Sequence, residues 1–372
     1  MVAVLWVCGP PGVGKTAVGW GVYRQLASSG LDVGYVDIDQ LGMCYPERAG
    51  DPGRHRLAAE NLGVVVDGYR AAGARAVVVS GVVDPVDGVH LDRIPGVALT
   101  TCRLRADAGE LARRLAARQG DAAGVAAALA EAAALDSSDV GDVCVDTSGL
   151  SVEQVIRVVR KRTAGWLDAA GTASPALAPR PAAGEGPVLW LCGPTGVGKS
   201  AVGFDLYLRH VLRLQIPGAY VDLDQIGFHG PAGTVDHRTR ARILAGMWRT
   251  FRAAGARCLT VVGPAEDDKA ISLYALALPE ATLTVCRLHA GPDELTRRIM
   301  RRGHGGGSWA QPGDPLKGQP AAYLSAVAER AAADAAALDR AAVGDLRVDT
   351  DHRTVEEIAD AIVARTGWPG PT

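Results

Sequence analysis

Apolar residues gather in short unbroken runs, near 2–8, 33–38, 75–80, 97–103 and 142–147 in the first half of the chain. The runs are Val-rich and do not alternate with polar residues. That is the pattern of parallel strands covered on both faces. Longer Arg- and Ala-rich stretches of helical character separate them. Strand–helix alternation of this kind predicts a doubly wound α/β sheet. Ligands in such sheets bind beyond the carboxyl ends of the strands.

The same pattern then recurs. "LWVCGPPGVGKTAVG" at 5–19 matches "LWLCGPTGVGKSAVG" at 189–203 in twelve of fifteen positions. "YVDIDQLG" at 35–42 returns as "YVDLDQIG" at 220–227, and "YRAAGARAVVV" at 69–79 as "FRAAGARCLTV" at 251–261. "VGDVCVDT" at 140–147 returns as "VGDLRVDT" at 343–350. The offset stays near 184 and widens to 203 at the end, because the second half carries an extra stretch around 303–321. An internal repeat of this length predicts a tandem duplication. Residues 168–186 are rich in Ala, Pro and Gly without apolar periodicity and read as a linker. The expected domains are therefore 1–167 and 187–372, with the linker between them.

Composition narrows the class. The chain has 372 residues, 48% hydrophobic and 22% charged, which suits two globular domains. A net charge of −2 leaves no electrostatic footprint for nucleic acid or an anionic membrane. The apolar start is too short for a spanning helix and runs straight into a glycine loop. Seven cysteines without a close pair read as small buried hydrophobes in a reducing, cytoplasmic compartment.

Two glycine loops carry the chemistry. Gly9-x-x-x-x-Gly14-Lys15-Thr16 and Gly193-x-x-x-x-Gly198-Lys199-Ser200 each follow a predicted strand and open a predicted helix. Their glycines, with Gly12 and Gly196, let backbone N–H groups turn inward toward phosphate oxygens. The helix N-terminus adds partial positive charge. The lysine would reach the β/γ-phosphates and the Thr16 or Ser200 hydroxyl would hold Mg²⁺. At the end of the second strand of each half stand Asp37-Ile38-Asp39 and Asp222-Leu223-Asp224. With a period of two, both carboxylates of a pair face one way. One suits the metal or its waters; the other suits proton acceptance from a hydroxyl. A solvated strand end with turn-favouring Asp is the plainer alternative. Arg113, Arg114 and Arg118 follow the fourth strand, with Arg297, Arg298, Arg301 and Arg302 as counterparts. Arg114 and Arg118, like Arg298 and Arg302, lie four apart on one helix face. Arginine there would stabilise spread charge on a γ-phosphate; an exposed basic face is the ordinary reading.

This combination of glycine loop, Asp-x-Asp, arginine helix and final "VDT" strand resembles the small P-loop metabolite kinases. These include shikimate, gluconate and adenylylsulfate kinases and chloramphenicol phosphotransferase. The resemblance implies two tandem P-loop kinase-like domains, each a five-stranded parallel sheet in the order 2-3-1-4-5. It implies Asp39 and Asp224 at a substrate hydroxyl, Asp37 and Asp222 nearer the metal, and the Asp146-Thr147-Ser148 and Asp349-Thr350-Asp351 loops beside adenine. It also implies lid arginines over ATP.

The halves differ beyond the loops. The second continues "RRGHGGGSWAQPGDPLKGQP" (301–320), which reads as a lid with glycine hinges and one aromatic, Trp309. The first has only "RQGDAAGVAAAL" (118–129) there. On the acceptor side His55 matches His237, but Glu60 and Asn61 align with Arg242 and Ile243. The expectation is an ATP- and Mg²⁺-dependent phosphotransferase acting on a hydroxyl of a small metabolite, its halves divided in role and arranged as a pseudo-dimer. Its catalytic set is Lys15, Asp39, Arg114, Arg118, Lys199, Asp224, Arg298 and Arg302. A nucleotide-binding regulatory or scaffold module without an acceptor, and a nucleoside monophosphate kinase, are the alternatives.

Overall fold

The computed structural model describes residues 1–117, 122–169, 184–230, 236–306 and 314–370. The chain begins with β1 (Val2–Cys8), whose seven residues are all buried. Each Val or Leu so buried stabilises the fold by about 1.5–3 kcal/mol. Then follow α1 (Lys15–Ser28), β2 (Val33–Asp37), the two-residue β3 (Cys44–Tyr45), α2 (His55–Ala71) and β4 (Ala76–Ser80). β5 (Val97–Arg105), α3 (Ala108–Ala117), α4 (Ala122–Asp136), β6 (Val143–Asp146) and α5 (Val152–Arg162) complete the first series. The second repeats it: β7 (Gly186–Cys192), α6 (Lys199–Tyr207), β8 (Gly218–Asp222), α7 (His237–Ala253) and β9 (Cys258–Val262). After these come α8 (Asp268–Ala277), β10 (Ala281–His289), α9 (Pro292–Gly303), α10 (Ala321–Arg340), β11 (Leu346–Asp349) and α11 (Val355–Thr366).

The first sheet has the order β2-β4-β1-β5-β6, every pair parallel. Counted along its own half this is 2-3-1-4-5, as expected. The second keeps that order in β8-β9-β7-β10-β11 and adds β3 as a sixth, antiparallel strand on β8. Among the described residues no helix is long and apolar enough to cross a membrane.

The chain divides into two compact units, and each includes a segment from the other half of the sequence. Unit 1 comprises Met1–Gly42, Gly50–Pro179 and Phe228–Val235; unit 2 comprises Met43–Ala49, Arg180–Gly227 and Asp236–Thr372. In unit 1 the Phe228 carbonyl accepts from the Tyr35 amide at 2.9 Å. Its ring packs against Trp20 at 4.8 Å and Tyr35 at 5.7 Å, and His229 stacks on Tyr69 at 5.5 Å. In unit 2 the Met43 carbonyl accepts from the Tyr220 amide at 3.0 Å. Cys44 and Tyr45 pair with Ala219 and Gly218, and Arg48 donates to the Thr250 carbonyl. Met43 and Phe228 are repeat counterparts, as are Tyr220 and Tyr35. The exchange is therefore reciprocal, and it covers edge backbone that would otherwise offer unpaired N–H and C=O groups.

Each unit has its own core. Leu5, Val7, Tyr35, Val78, Leu104 and Leu111 belong to the first; Leu189, Leu191, Tyr220, Leu288, Leu295 and Ile299 belong to the second. None of the seven cysteines is in a disulfide, and six of them are buried. Burial pushes Cys8, Cys102, Cys192, Cys258 and Cys286 up to about 12, so these thiols stay protonated and act as small hydrophobes.

Candidate phosphate-binding and acceptor sites

Both glycine loops join the end of a central strand to a helix, as their spacing predicts. Gly9, Gly12 and Gly14 have φ of 140°, 88° and 95°; Gly193, Gly196 and Gly198 have 138°, 83° and 104°. These conformations favour glycine strongly. A Cβ on Gly193 would also sit 2.5 Å from the Leu288 carbonyl oxygen, and one on Gly9 would collide with that of Leu104. Gly14 and Gly198 occupy the N-cap positions of α1 and α6. The helix after the fourth parallel strand packs over each loop tip: Leu111 and Leu115 lie over Gly12, and Ile299 lies over Gly196.

The loop lysines differ in their surroundings. Lys15 is 8% exposed. Burial lowers its pKa, opposed by the charges of Asp39, Glu131 and Asp37. Glu131 comes from α4 and was not singled out in the sequence. Lys199 donates to the Gly193 and Pro194 carbonyls at 2.9 and 3.0 Å. Burial lowers its pKa too, opposed by Asp224 and Asp222, while Arg302 adds positive charge.

The hydroxyl after each lysine meets the first aspartate of its pair. Thr16 Oγ1 donates to Asp37 Oδ2 at 2.9 Å, and Ser200 Oγ donates to Asp222 Oδ2 at 2.8 Å. The second aspartate reaches the same end of the sheet, though not by the strand alternation expected of it. β2 stops at Asp37, and Ile38–Gln40 form a 3₁₀ turn capped by the Asp37 carboxylate, which accepts from the Asp39 amide at 3.1 Å. The Asp224 amide bonds Asp222 Oδ1 at 2.9 Å in the same way. The turn replaces the pleat because the Asp side chain offers the backbone a local acceptor. Burial, then the charge of Asp39, raises Asp37 to about 6, against the pull of Thr16, the Asp39 amide and Ser80. Ser80 Oγ bonds both Asp37 Oδ2 and Tyr35. In the second half Val262 holds the register position of Ser80, so Asp222 has no counterpart of that serine on the neighbouring strand. A hydroxyl and a carboxylate side by side at the loop are hard oxygen donors that fit Mg²⁺.

The arginines divide into two groups. Arg298 donates to Glu294 at 2.6 Å, to Val197 O at 2.8 Å, to Thr350 Oγ1 at 2.9 Å and to Thr350 O at 2.7 Å. Arg114 likewise bonds Glu110, Thr147 Oγ1 and Thr147 O at 2.8–2.9 Å. Each ties its helix to the loop after the last strand, and Arg298 also ties the second glycine loop through Val197 O. Hydrogen bonds from Arg297 and then the nearby guanidinium of Arg298 hold Glu294 down to about 2. Arg302 bonds Asp314 at 2.6 Å. Arg118 lies outside the described residues, as do residues 307–313 of the expected lid, Trp309 among them. The two ends of that stretch are fixed: Gly318 N donates to Gly303 O at 2.8 Å, and Leu316 is buried.

The residues beside Asp39 and Asp224 are unlike. In unit 2 a buried arginine, Arg240 of α7, donates to Asp224 Oδ1 at 3.0 Å. His237 takes Glu266 at 2.6 Å and Tyr274 at 3.2 Å. In unit 1 Asp39 accepts from the Val82 amide at 3.3 Å, and Ala58 holds the repeat position of Arg240. Glu60 pairs with Arg93. Asn61 is fully buried, donating to Leu41 O at 2.7 Å, and so supports the turn after Asp39 rather than facing a ligand. Arg240 was legible in principle: an arginine three residues before Ile243 on an apolar helix face is a buried cation in search of a partner.

No protein-family model matches the chain. No curated protein matches it. Solved structures do. A sugar kinase from Janibacter sp. HTCC2649 is 21% identical over 46% of this chain and 100% of its own, with a TM-score of 0.33. Shikimate kinase from Bacteroides thetaiotaomicron is 15% identical over 49% and 99%, with a TM-score of 0.32. An APS kinase from Mycobacterium tuberculosis, in complex with AMPPNP and APS, is 18% identical over 49% and 97%, with a TM-score of 0.30.

Proposed function

We propose that the chain is an ATP-dependent phosphotransferase that moves the γ-phosphate to a hydroxyl of a small metabolite. Two nucleotide-binding halves, 1–167 and 187–372, would be joined by the linker 168–186 and divided in role. One observation supports this above others: each loop lysine is followed by a hydroxyl bonded to an aspartate, and a second aspartate sits two residues on at the same strand end. Loop amides and lysine would hold the phosphates. Thr16 with Asp37, and Ser200 with Asp222, would hold Mg²⁺, which supplies neutralising charge to phosphate oxygens. Asp39 or Asp224 would accept the hydroxyl proton. Arg302 would add positive charge near Lys199, and Arg114 and Arg298 would hold the loops that border the nucleotide.

The test is a panel of polyols, hydroxy acids and nucleosides incubated with ATP and Mg²⁺, with phosphorylated product read by mass and ³¹P NMR. Asp39→Asn and Asp224→Asn should each be compared with the unaltered protein. If neither substitution changes turnover, the acceptor mechanism is wrong. The crowding of Lys15 by three carboxylates supports a second reading for the first half alone: a nucleotide site kept for regulation. Retention of full turnover in Lys15→Ala would support it.

A further inference from the structure

The carboxylates around the two loop lysines are neutralised differently. In unit 2 the Asp224 carboxylate, which acts on Lys199, is taken by Arg240 at 3.0 Å. The Arg240 guanidinium is buried, and its Nε has no hydrogen-bond partner among the described residues. It lies flat beneath Gly227, where a Cβ would come within 2.5 Å of its Cζ. Among the described residues its one ion pair is with Asp224, and Glu266 also lies within reach of its charge; such pairing is what a buried guanidinium needs. In unit 1 the repeat positions are Ala58 and Gly42, so the clamp is missing. Among the described residues no cation bonds Asp39 or Glu131, and both act on Lys15 alongside Asp37. Lys15 is thus compensated from within the protein. A triphosphate entering there must face those three carboxylates.

We infer that the second loop is the tight triphosphate site of the chain, and that Arg240 makes it so as a positioning residue, holding the Asp224 carboxylate and offsetting its charge beside Lys199. This rests on the nucleotide-binding part of the function proposed above and is independent of any acceptor. Asp224 already acts on Lys199, so without Arg240 that lysine would be partly withdrawn from the β/γ-phosphates.

The probe is mant-ATP with Mg²⁺, titrated by fluorescence into the full chain, with circular dichroism confirming the fold of each variant. Lys15→Ala should keep the tight phase, and Lys199→Ala should lose it. In the Lys15→Ala background, Arg240→Met should weaken mant-ATP by about tenfold or more. Mant-ADP should weaken less, and Arg240→Lys should recover most of the loss. Glu131→Gln in the Lys199→Ala background should tighten the remaining weak phase. A tight phase that survives Lys199→Ala and vanishes in Lys15→Ala overturns the inference. So does Arg240→Met binding as the parent does, or weakening ATP and ADP equally without rescue by lysine. Absence of binding at both loops overturns this inference and the phosphotransferase reading together. Binding as described, with no acceptor phosphorylated, leaves the inference standing and removes only the phosphotransferase reading.

Discussion

Arg298→Met separates holding a loop from acting on a phosphate. The guanidinium makes four hydrogen bonds: one to Glu294, one to the Val197 carbonyl and two to Thr350. Glu294 keeps Arg297 after the substitution, so its charge stays paired. The carbonyls of Val197 and Thr350 lose their donor, at about 1–3 kcal/mol for each if buried. The total should be about 2–4 kcal/mol, below the cost of stranding a buried charge. For a unit of this size that is a fall of roughly 5–15 °C in Tm. Arg114→Met makes the calibration. Its guanidinium reaches Thr147 and Glu110 but has no bond to the phosphate loop, so the loss should be about half as large. Urea unfolding followed by tryptophan fluorescence gives both values, and mant-ATP titration gives the nucleotide affinity. Equal losses for the two variants, or an Arg298→Met protein within about 0.5 kcal/mol of the parent, would refute the reasoning and return Arg298 to the phosphate.

Three further outcomes are expected. Gly9→Ala forces a Cβ onto the Leu104 carbonyl at a φ of 140°, so mant-ATP binding by the first loop, read in the Lys199→Ala background, should fall about tenfold or more while the second loop is unaffected. Phe228→Ala removes a ring packed on Trp20 and Tyr35 and should cost about 2–4 kcal/mol in the unfolding of unit 1, although residue 228 lies in the second half of the sequence; an unchanged Trp20 emission would count against it. Glu294 stands at about 2 in the folded chain, below its ordinary 4.5, so its contribution is fully present above 4.5 and is lost as pH falls toward 2. Glu294→Gln should flatten that part of the pH–stability profile of unit 2, and an unchanged slope would rule it out.

The repeat, the two loops and the parallel strands were legible because each is a local pattern: unbroken apolar runs, glycines at fixed spacing, lysine with a hydroxyl. The strand order rested on resemblance, and the sheets agree with it. The approach of Asp39 to Asp37 was read from the pleat, whereas a 3₁₀ turn delivers it, since an aspartate that caps its own second neighbour ends the strand early. Glu131 was hidden because a single acid on an Ala-rich helix carries no period to aim it; only the packing of α4 brings it toward Lys15. Arg240 was visible as a cation on an apolar face but had no partner until α7 was placed beside Asp224. The exchange of Met43 and Phe228 could not be read at all. Both segments follow near-identical sequences, YVDIDQLG and YVDLDQIG, so nothing local directs either one to the edge strand of the other half.

That exchange bears on how the two halves can drift apart. A substitution at Met43 is tested by Tyr220 and its neighbours, and one at Phe228 by Trp20, Tyr35 and Tyr23. Selection on these short segments therefore runs crosswise through the duplication. In an alignment of related tandem chains, position 228 should covary with positions 20 and 35 and not with its own repeat. A gene encoding either repeat alone would encode an edge without its cover, so once the copies diverged at these positions neither could be lost without the other.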